Sequence, residues 1–135
     1  MSSLFRSALA LGCALWASAA YAASPAFDGT QVAQGKTLYA DRCAKCHGAH
    51  LEGVSAPALR ASADDPRTVA ETFTVASKLM PKDDPRSLSP DAYAAIVAYL
   101  LSENGCRAGA APLSPADAAA STAELGCAPP SVAGH

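Results

Sequence analysis

The stretch Cys43-Ala44-Lys45-Cys46-His47 decides how this sequence is interpreted. Two cysteines that are separated by two residues and followed at once by a histidine have three uses in proteins. They form a metal site, a redox-active thiol pair, or an attachment point for a covalent haem. Each use requires different companions elsewhere in the chain, so the remaining sequence can discriminate between them.

The companions of a zinc site and of a thioredoxin-like site are missing from the sequence. A structural zinc ion takes four protein ligands, whereas this stretch offers three, and no second Cys-x-x-Cys or His pair at ligand spacing is present. A thioredoxin-like pair follows a strand in a βαβ unit, but a helical pattern precedes Cys43. Attachment of a c-type haem needs no further cysteine, because both thiols add to the haem vinyl groups and the histidine binds the iron. The sequence therefore predicts one covalent haem c on Cys43 and Cys46, with His47 as the proximal ligand.

Met80 is the candidate for the sixth ligand of such an iron. The chain has two methionines, and the other is Met1. A lone methionine is commonly core filler, but Met80 lies in a proline-rich segment between two predicted helices, from which a thioether can reach the haem face opposite His47. His50 follows His47 too closely to reach that face, and His135 is terminal. A thioether ligand is typical of haem proteins that carry electrons.

The first 22 residues have the features of a secretory signal peptide. Arg6 precedes an apolar run over residues 7–20, and Ala20-Tyr21-Ala22 has the small-x-small form of a cleavage site. An uncleaved anchor and a lipoprotein cut before Cys13 are the alternatives, and both fit the short apolar run less well. The sequence predicts cleavage near Ala22 and a periplasmic protein without a permanent membrane span.

The charge balance narrows the classes of partner. Ten basic residues face 12 acidic residues, which gives a formal net charge of −2. This balance argues against binding to nucleic acid or to an anionic membrane surface.

The domain organisation predicted here is a signal peptide over residues 1–22, one folded domain over residues 23–105, and an Ala- and Pro-rich tail over residues 106–135.

Helical periodicity and capping signals predict three main helices and no strand, which makes the fold class all-α. The first helix covers Thr30 to Arg42 and contains Gly35, which indicates a close approach by another element. The second helix is expected to begin at Asp65, with a proline in its first turn. The third helix begins after Ser89 and ends at Asn104-Gly105. Large side chains are few, so a haem would complete the apolar core.

Two cysteines remain in the tail, Cys106 and Cys127. In an exported protein the simplest outcome is a disulfide between them, since disulfides persist in oxidising compartments. An intermolecular bond and a regulatory thiol pair are the alternatives. One short helix is expected after Ser114.

From Thr30 to Gly105 the chain resembles the small class I cytochromes c. The segment GKTLYADRCAKCHG at residues 35–48 is similar to the first helix and haem motif of that family. The resemblance implies three helices around one covalent haem. It also implies that the glycine at position 35 allows the C-terminal helix to cross closely, with Ile96 or Val97 against it and Tyr99 near the haem edge.

The segment Ala-Pro-Ala-Leu at residues 56–59 resembles the Gly-Pro-x-Leu loop of the same family. In that loop the proline carbonyl accepts a hydrogen bond from the proximal histidine, which implies that Pro57 is part of the haem site. Ala56 stands where the family pattern has glycine.

A narrower resemblance concerns residues 80–105. They are similar to cytochromes that accept electrons from periplasmic quinoprotein dehydrogenases, with Arg86 where those sequences have glycine. The resemblance implies an electron carrier rather than an enzyme, passing single electrons from a dehydrogenase to an oxidase or another cytochrome. The alternative is a haem enzyme, or a cytochrome subunit of a dehydrogenase complex, with an exchangeable sixth ligand. A five-coordinate gas sensor is disfavoured because Met80 is available to close the sixth position.

Overall fold

Within residues 24–127, the range that the computed structural model describes, the chain forms five helices. They are α1 (Gly29–Arg42), α2 (Ala44–His47), α3 (Val69–Leu79), α4 (Pro90–Glu103) and α5 (Pro115–Ala120). The same residues contain no strand, only three isolated bridges. The all-α prediction is therefore confirmed, and the three predicted main helices are α1, α3 and α4. The predicted signal peptide and His135 lie outside the described residues.

Short polar side chains set where α1 and α4 begin. Asp28 caps α1 and accepts the amide proton of Gln31 over 2.7 Å. Ser89 caps α4 as predicted, accepting from the amide of Ala92 over 3.2 Å. Pro90 occupies the first helical position, where a missing N–H has no consequence. Within residues 24–127, none of the helices is long and apolar enough to cross a lipid bilayer.

The expected start of the second helix at Asp65 is wrong, because α3 begins at Val69. Thr68 is its cap: the Thr68 hydroxyl accepts from the amide of Glu71, and the Glu71 carboxylate accepts from the amide of Thr68 over 2.9 Å. This reciprocal capping box satisfies two amides that a helix end leaves unpaired. Asp65 lies instead in a turn, where its amide donates to the carbonyl of Ser62 over 3.2 Å.

Helices α1 and α4 cross at Gly35. A Cβ atom at this position would overlap the carbonyl oxygen of Ala95 and lie 2.9 Å from the Cβ of Tyr99. The predicted close approach at Gly35 is thus present, but the expectation that Ile96 or Val97 lies against it is wrong. Helix α4 is buried at every position from Tyr93 to Leu101, so its sequence shows no polar face that would identify the side turned towards α1.

The tail is packed against the helices up to the last described residue. Helix α5 contacts both α3 and α4, and its Ser114 cap confirms the short helix predicted after that residue. The buried residues of the tail are Cys106, Leu113, Ala118, Ala123 and Leu125. Beyond α5 the backbone pairs with the start of α3: the amide of Val69 donates to the carbonyl of Ala123 over 2.9 Å, and the amide of Leu125 to that of Arg67 over 2.8 Å. The segment therefore contributes to the core.

The sulfur atoms of Cys106 and Cys127 lie 2.08 Å apart, which is bonding distance. Cys106 follows the end of α4, and the amide of Cys127 donates to the carbonyl of Asn104 over 3.1 Å. The backbone thus brings the two cysteines together where α4 ends. Both the export of the protein and the oxidation of this pair stay predictions.

Candidate haem site

The Cys-x-x-Cys-His stretch forms a single turn at the end of α1. Cys43 ends α1, with its amide donating to the carbonyl of Tyr39 over 2.9 Å, and it also precedes the four-residue helix α2. The carbonyl of Cys43 accepts from the amides of Cys46 and His47 over 3.1 and 2.9 Å. Both thiols are free, with Cys43 half-buried and Cys46 exposed. One turn therefore presents two thiols and an imidazole in a fixed order.

The protonation state of Cys43 argues against a reactive redox pair at this turn. Burial raises the pKa of the Cys43 thiol to about 11. Reactive redox thiols act as thiolates and have lowered pKa values. At neutral pH the Cys43 thiol is thus protonated, in contrast to an activated thiol pair.

The ring of His47 is oriented by a backbone carbonyl. Its Nδ1 atom lies 2.8 Å from the carbonyl oxygen of Pro57. Because a carbonyl oxygen can only accept, Nδ1 carries the proton and Nε2 keeps a free lone pair. A histidine ligand held in this way has a fixed ring and a more basic coordinating nitrogen. The hydrogen bond that the resemblance implied for Pro57 is therefore present, and the role of Pro57 in a haem site stays a prediction.

The loop that carries Pro57, residues 53–58, is called the proximal loop. It is folded tightly onto α2. The carbonyl of Cys46 accepts from three successive amides, those of residues 54–56, over 3.0 to 3.1 Å. The carbonyl of His47 accepts from the amide of Gly53 over 2.7 Å. Gly53 has φ +80°, and a Cβ there would lie 2.8 Å from the amide nitrogen of Ala58. The loop therefore needs glycine at position 53. The sequence analysis missed Gly53, whose signal was a glycine ahead of the Pro-x-Leu segment.

Tyr39 connects the haem motif to α4, a role that the sequence analysis did not assign. Its hydroxyl donates to the carbonyl of Gly48 over 2.7 Å, and burial raises its pKa. The ring of Tyr39 lies 5.3 Å, centroid to centroid, from that of Tyr99 at an angle of 48°. Tyr99 is itself buried, and this burial raises its pKa as well. Tyr99 thus reaches the motif through Tyr39, and its position at a haem edge stays a prediction. The sequence places Tyr39 four residues before Cys43, on the same helix face, but this spacing does not reveal the hydrogen bond to Gly48.

Met80 is the residue that ends α3, and α4 holds its backbone. The amide of Met80 donates to the carbonyl of Ala76 over 3.2 Å. Its carbonyl accepts from the hydroxyl of Tyr93 over 2.7 Å. The side chain is partly exposed and is followed by the buried Pro81. The hydrogen bond from Tyr93 is a contact that the sequence did not reveal.

His50 lies at the surface, in the turn between His47 and the proximal loop. Its amide donates to the carboxylate of Glu52 over 2.7 Å, and its carbonyl accepts from Nε of Arg60 over 3.0 Å. Hydrogen bonds from the backbone amides of Glu52 and His50 lower the pKa of the Glu52 carboxyl. The backbone of His50 is therefore fixed in the turn after His47, which agrees with its interpretation as a surface histidine.

These side chains together fit a covalent haem c. Two free thiols on one turn suit the two vinyl groups, and the imidazole beside them has its Nδ1 proton engaged and its Nε2 free. Met80 supplies a thioether on a backbone that is bonded to a different helix. That these particular residues hold the haem remains a proposal.

Comparison with known proteins identifies the family. A family model described as cytochrome C oxidase, cbb3-type, subunit III matches residues 30–100. The comparison with curated proteins gives no match. Among solved structures, the sulfane dehydrogenase SoxCD from Paracoccus pantotrophus is 32% identical, with a TM-score of 0.49. The similarity covers 77% of this chain and 59% of the SoxCD chain, so the chain spans less than two thirds of that protein's length. Because the family model matches more than half of the sequence, the chain belongs to that family: it is a class I c-type cytochrome, a haem protein of electron transfer with covalently bound haem c.

Proposed function

We propose that this cytochrome is a periplasmic electron carrier whose haem c is attached to Cys43 and Cys46 and ligated by His47 and Met80. It passes single electrons from a dehydrogenase to a terminal acceptor such as an oxidase or another cytochrome. The bound haem supplies an iron that alternates between the ferrous and ferric states. Export rests on the signal-peptide features of residues 1–22.

The hydrogen bond from His47 to the Pro57 carbonyl carries this proposal. At 2.8 Å it fixes the tautomer and the orientation of the ring. The Pro57 carbonyl is itself held by a loop whose amides are bonded to Cys46 and His47. A ligand that keeps its position in both oxidation states suits a carrier, because little of the protein then has to move when an electron arrives.

The second support is the position of Met80. An enzyme or gas sensor needs an exchangeable sixth position on the iron, whereas a carrier keeps both axial positions filled. The hydrogen bond from Tyr93 holds the Met80 backbone where α3 ends. This contact favours a methionine that stays in place over one that leaves readily.

The loop after Met80 supports a quinoprotein dehydrogenase as the electron donor. Arg86 has φ +64°, a conformation that favours glycine. Glycine is the residue that the similar dehydrogenase-dependent cytochromes have there. Arg86 therefore has a backbone conformation that glycine adopts freely although the side chain differs, which is the basis for proposing the same class of donor.

The ferric absorption spectrum tests the ligation. The unaltered protein should show the weak long-wavelength band of a methionine–iron bond and bind cyanide slowly. Replacing Met80 with Ala should abolish the band, lower the reduction potential and open the iron to carbon monoxide. An unaltered protein that lacks the band and binds these ligands at once would instead support the haem enzyme or complex subunit.

The donor is tested separately by mixing the oxidised cytochrome with a purified periplasmic quinoprotein dehydrogenase and its substrate. Haem reduction should be rapid, whereas an NADH-dependent dehydrogenase serves as the negative control. Equal, slow reduction by both enzymes would contradict the donor class and leave the ligation proposal standing.

A further inference from the structure

Asn104, the only asparagine of the chain, uses its whole side-chain amide on backbone groups. Its Oδ1 accepts from the amide of Ala61 over 2.8 Å, and its Nδ2 donates to the carbonyls of Leu59 and Leu100 over 3.1 and 2.9 Å. Because a backbone amide can only donate, Oδ1 faces Ala61 and Nδ2 faces the two carbonyls. The side chain therefore joins the end of α4 to residues 59–61.

The backbone of Asn104 is fixed independently of its side chain. Asn104 is the residue that ends α4, with its amide bonded to the carbonyls of Leu100 and Leu101. Its carbonyl accepts from the amide of Cys127 in the tail over 3.1 Å. Gly105 follows with φ +86°, so the chain turns directly after Asn104. The side chain of Asn104 thus projects from a point that both α4 and the tail hold in place.

The segment that Asn104 holds, residues 59–61, directly follows the proximal loop. The carbonyl of Pro57 in that loop lies 2.8 Å from Nδ1 of His47. Backbone amides of residues 53–56 tie the first part of the loop to α2. The Pro57 carbonyl therefore lies between two anchors along the chain, α2 on one side and Asn104 on the other.

Loss of either anchor would alter the contact between the Pro57 carbonyl and His47. A hydrogen bond from a histidine ligand to a carbonyl makes the coordinating nitrogen more basic, and a more basic ligand favours the ferric iron. We propose that Asn104 is a positioning residue for the proximal ligand: by tying residues 59–61 to the end of α4, it keeps the Pro57 carbonyl on Nδ1 of His47 and so adjusts the reduction potential. This inference rests on the proposed ligation of the iron by His47.

Gln31 offers a matched control, because its side-chain amide makes the same kind of double contact elsewhere. Its Oε1 accepts from the amide of Leu113, and its Nε2 donates to the carbonyl of Leu113, both over 2.8 Å. These bonds join α1 to the tail, where Leu113 is buried. Replacing Gln31 therefore removes two amide–backbone bonds, as many as join Asn104 to residues 59–61, without a change at the proximal loop.

The experiment compares holoproteins that carry Asn104→Ala and Gln31→Ala with the unaltered protein. In Asn104→Ala the Nδ1 proton of His47 should exchange with solvent at least about tenfold faster, since two hydrogen bonds to residues 59–61 are lost. Nuclear magnetic resonance of the ferrous protein measures this rate. The reduction potential should rise in the same variant. Gln31→Ala should lower thermal stability by a similar amount and leave the exchange rate and the potential unchanged.

Native-state hydrogen exchange in the unaltered protein gives a test that does not depend on the folding of a variant. The Nδ1 proton of His47 and the amide of Ala61 should become accessible in one common opening, with the same dependence on denaturant. The amide of Leu113, which Gln31 holds, should open independently of both.

Three results would each overturn the positioning role of Asn104. They are equal Nδ1 exchange rates in the two variants, a potential that is unchanged or falls in Asn104→Ala, and an Ala61 amide that opens separately from the His47 proton. All three leave the ligation by His47 standing. The ligation itself fails if the ring protons of His47 in the unaltered holoprotein lack the ring-current shifts of an imidazole bound to haem iron, and the inference would then fail with it.

Discussion

The two candidate iron ligands are held by very different numbers of contacts. On the proximal side, the side chain of His47 is bonded to a loop that is itself tied to α2 by four backbone amides. On the other side, Met80 is held through its backbone, by the Tyr93 hydroxyl and by the last amide bond of α3. Residues 82–87 after it are all exposed. The comparison indicates that His47 is held more firmly than Met80, so Met80 would be the first of the two candidate ligands to exchange.

The largest expected effect is on the proximal side, from Gly53→Val. The new Cβ would press on the amide nitrogen of Ala58 and the carbonyl of Ala56, and valine is strained at φ +80°. Together these effects should destabilise the holoprotein by about 3 kcal/mol. Denaturant unfolding monitored by haem absorbance measures this loss. A variant as stable as the parent protein would show that the proximal loop is not rigid.

A second test removes the predicted disulfide of the tail with Cys106→Ser and Cys127→Ser. The pair closes a loop with a sequence separation of 21, which corresponds to about 3 kcal/mol in the chain-entropy model. The methionine–iron band should persist, because the tail pairs with the start of α3 and Met80 follows its far end. Loss of the band would show that the tail and the Met80 region are not independent of each other. Mass spectrometry of non-reduced peptides first establishes that the two cysteines are joined within one chain.

Tyr93→Phe tests Met80 directly, the candidate ligand that is held by fewer contacts. It removes the hydroxyl that donates to the Met80 carbonyl over 2.7 Å while keeping the buried ring. Global stability should fall by only about 1 kcal/mol. The affinity of the ferric protein for cyanide should rise roughly fivefold, since displacing Met80 becomes easier by a similar free energy. Tyr39→Phe is the matched control, because its hydroxyl donates to Gly48 on the proximal side. Equal cyanide affinities in both variants would contradict the asymmetry.

The smallest expected effect, from Arg86→Gly, is a gain in stability rather than a loss. Arg86 adopts φ +64° in the loop beyond Met80, and glycine takes this conformation without strain. Arg86→Gly should therefore stabilise the protein by about 1 kcal/mol. Thermal unfolding followed by circular dichroism detects this increase. Asp84→Gly, a change in the same exposed loop at a position without positive φ, should give no such gain.

Local signals in the sequence were sufficient for the helices and for the haem motif. Ser89 and Pro90 identified the start of α4 because capping depends on neighbouring residues alone. The error at Asp65 arose from giving weight to an Asp-Pro pair when the Thr68 and Glu71 capping box was the stronger signal.

Three of the missed features depend on contacts between residues that are far apart in the sequence. The side of α4 that meets Gly35 could not be identified, since Tyr93 to Leu101 are buried all around. The hydrogen bond from Tyr93 to Met80 and the pairing of Leu125 with Arg67 likewise join residues that no periodicity connects. Such contacts become visible only once the helices are placed in three dimensions.

The crossing at Gly35 has a consequence for the order of events during folding. When α1 closes on Ala95 of α4, the intervening chain becomes a loop that contains Cys43, His47 and Met80. Closing a free loop of that length costs about 4 kcal/mol in chain entropy. A haem joined to Cys43 and Cys46 and ligated by Met80 would tie the interior of the loop together beforehand and lower this cost. The helix crossing is therefore expected to form most readily after the cofactor has been attached.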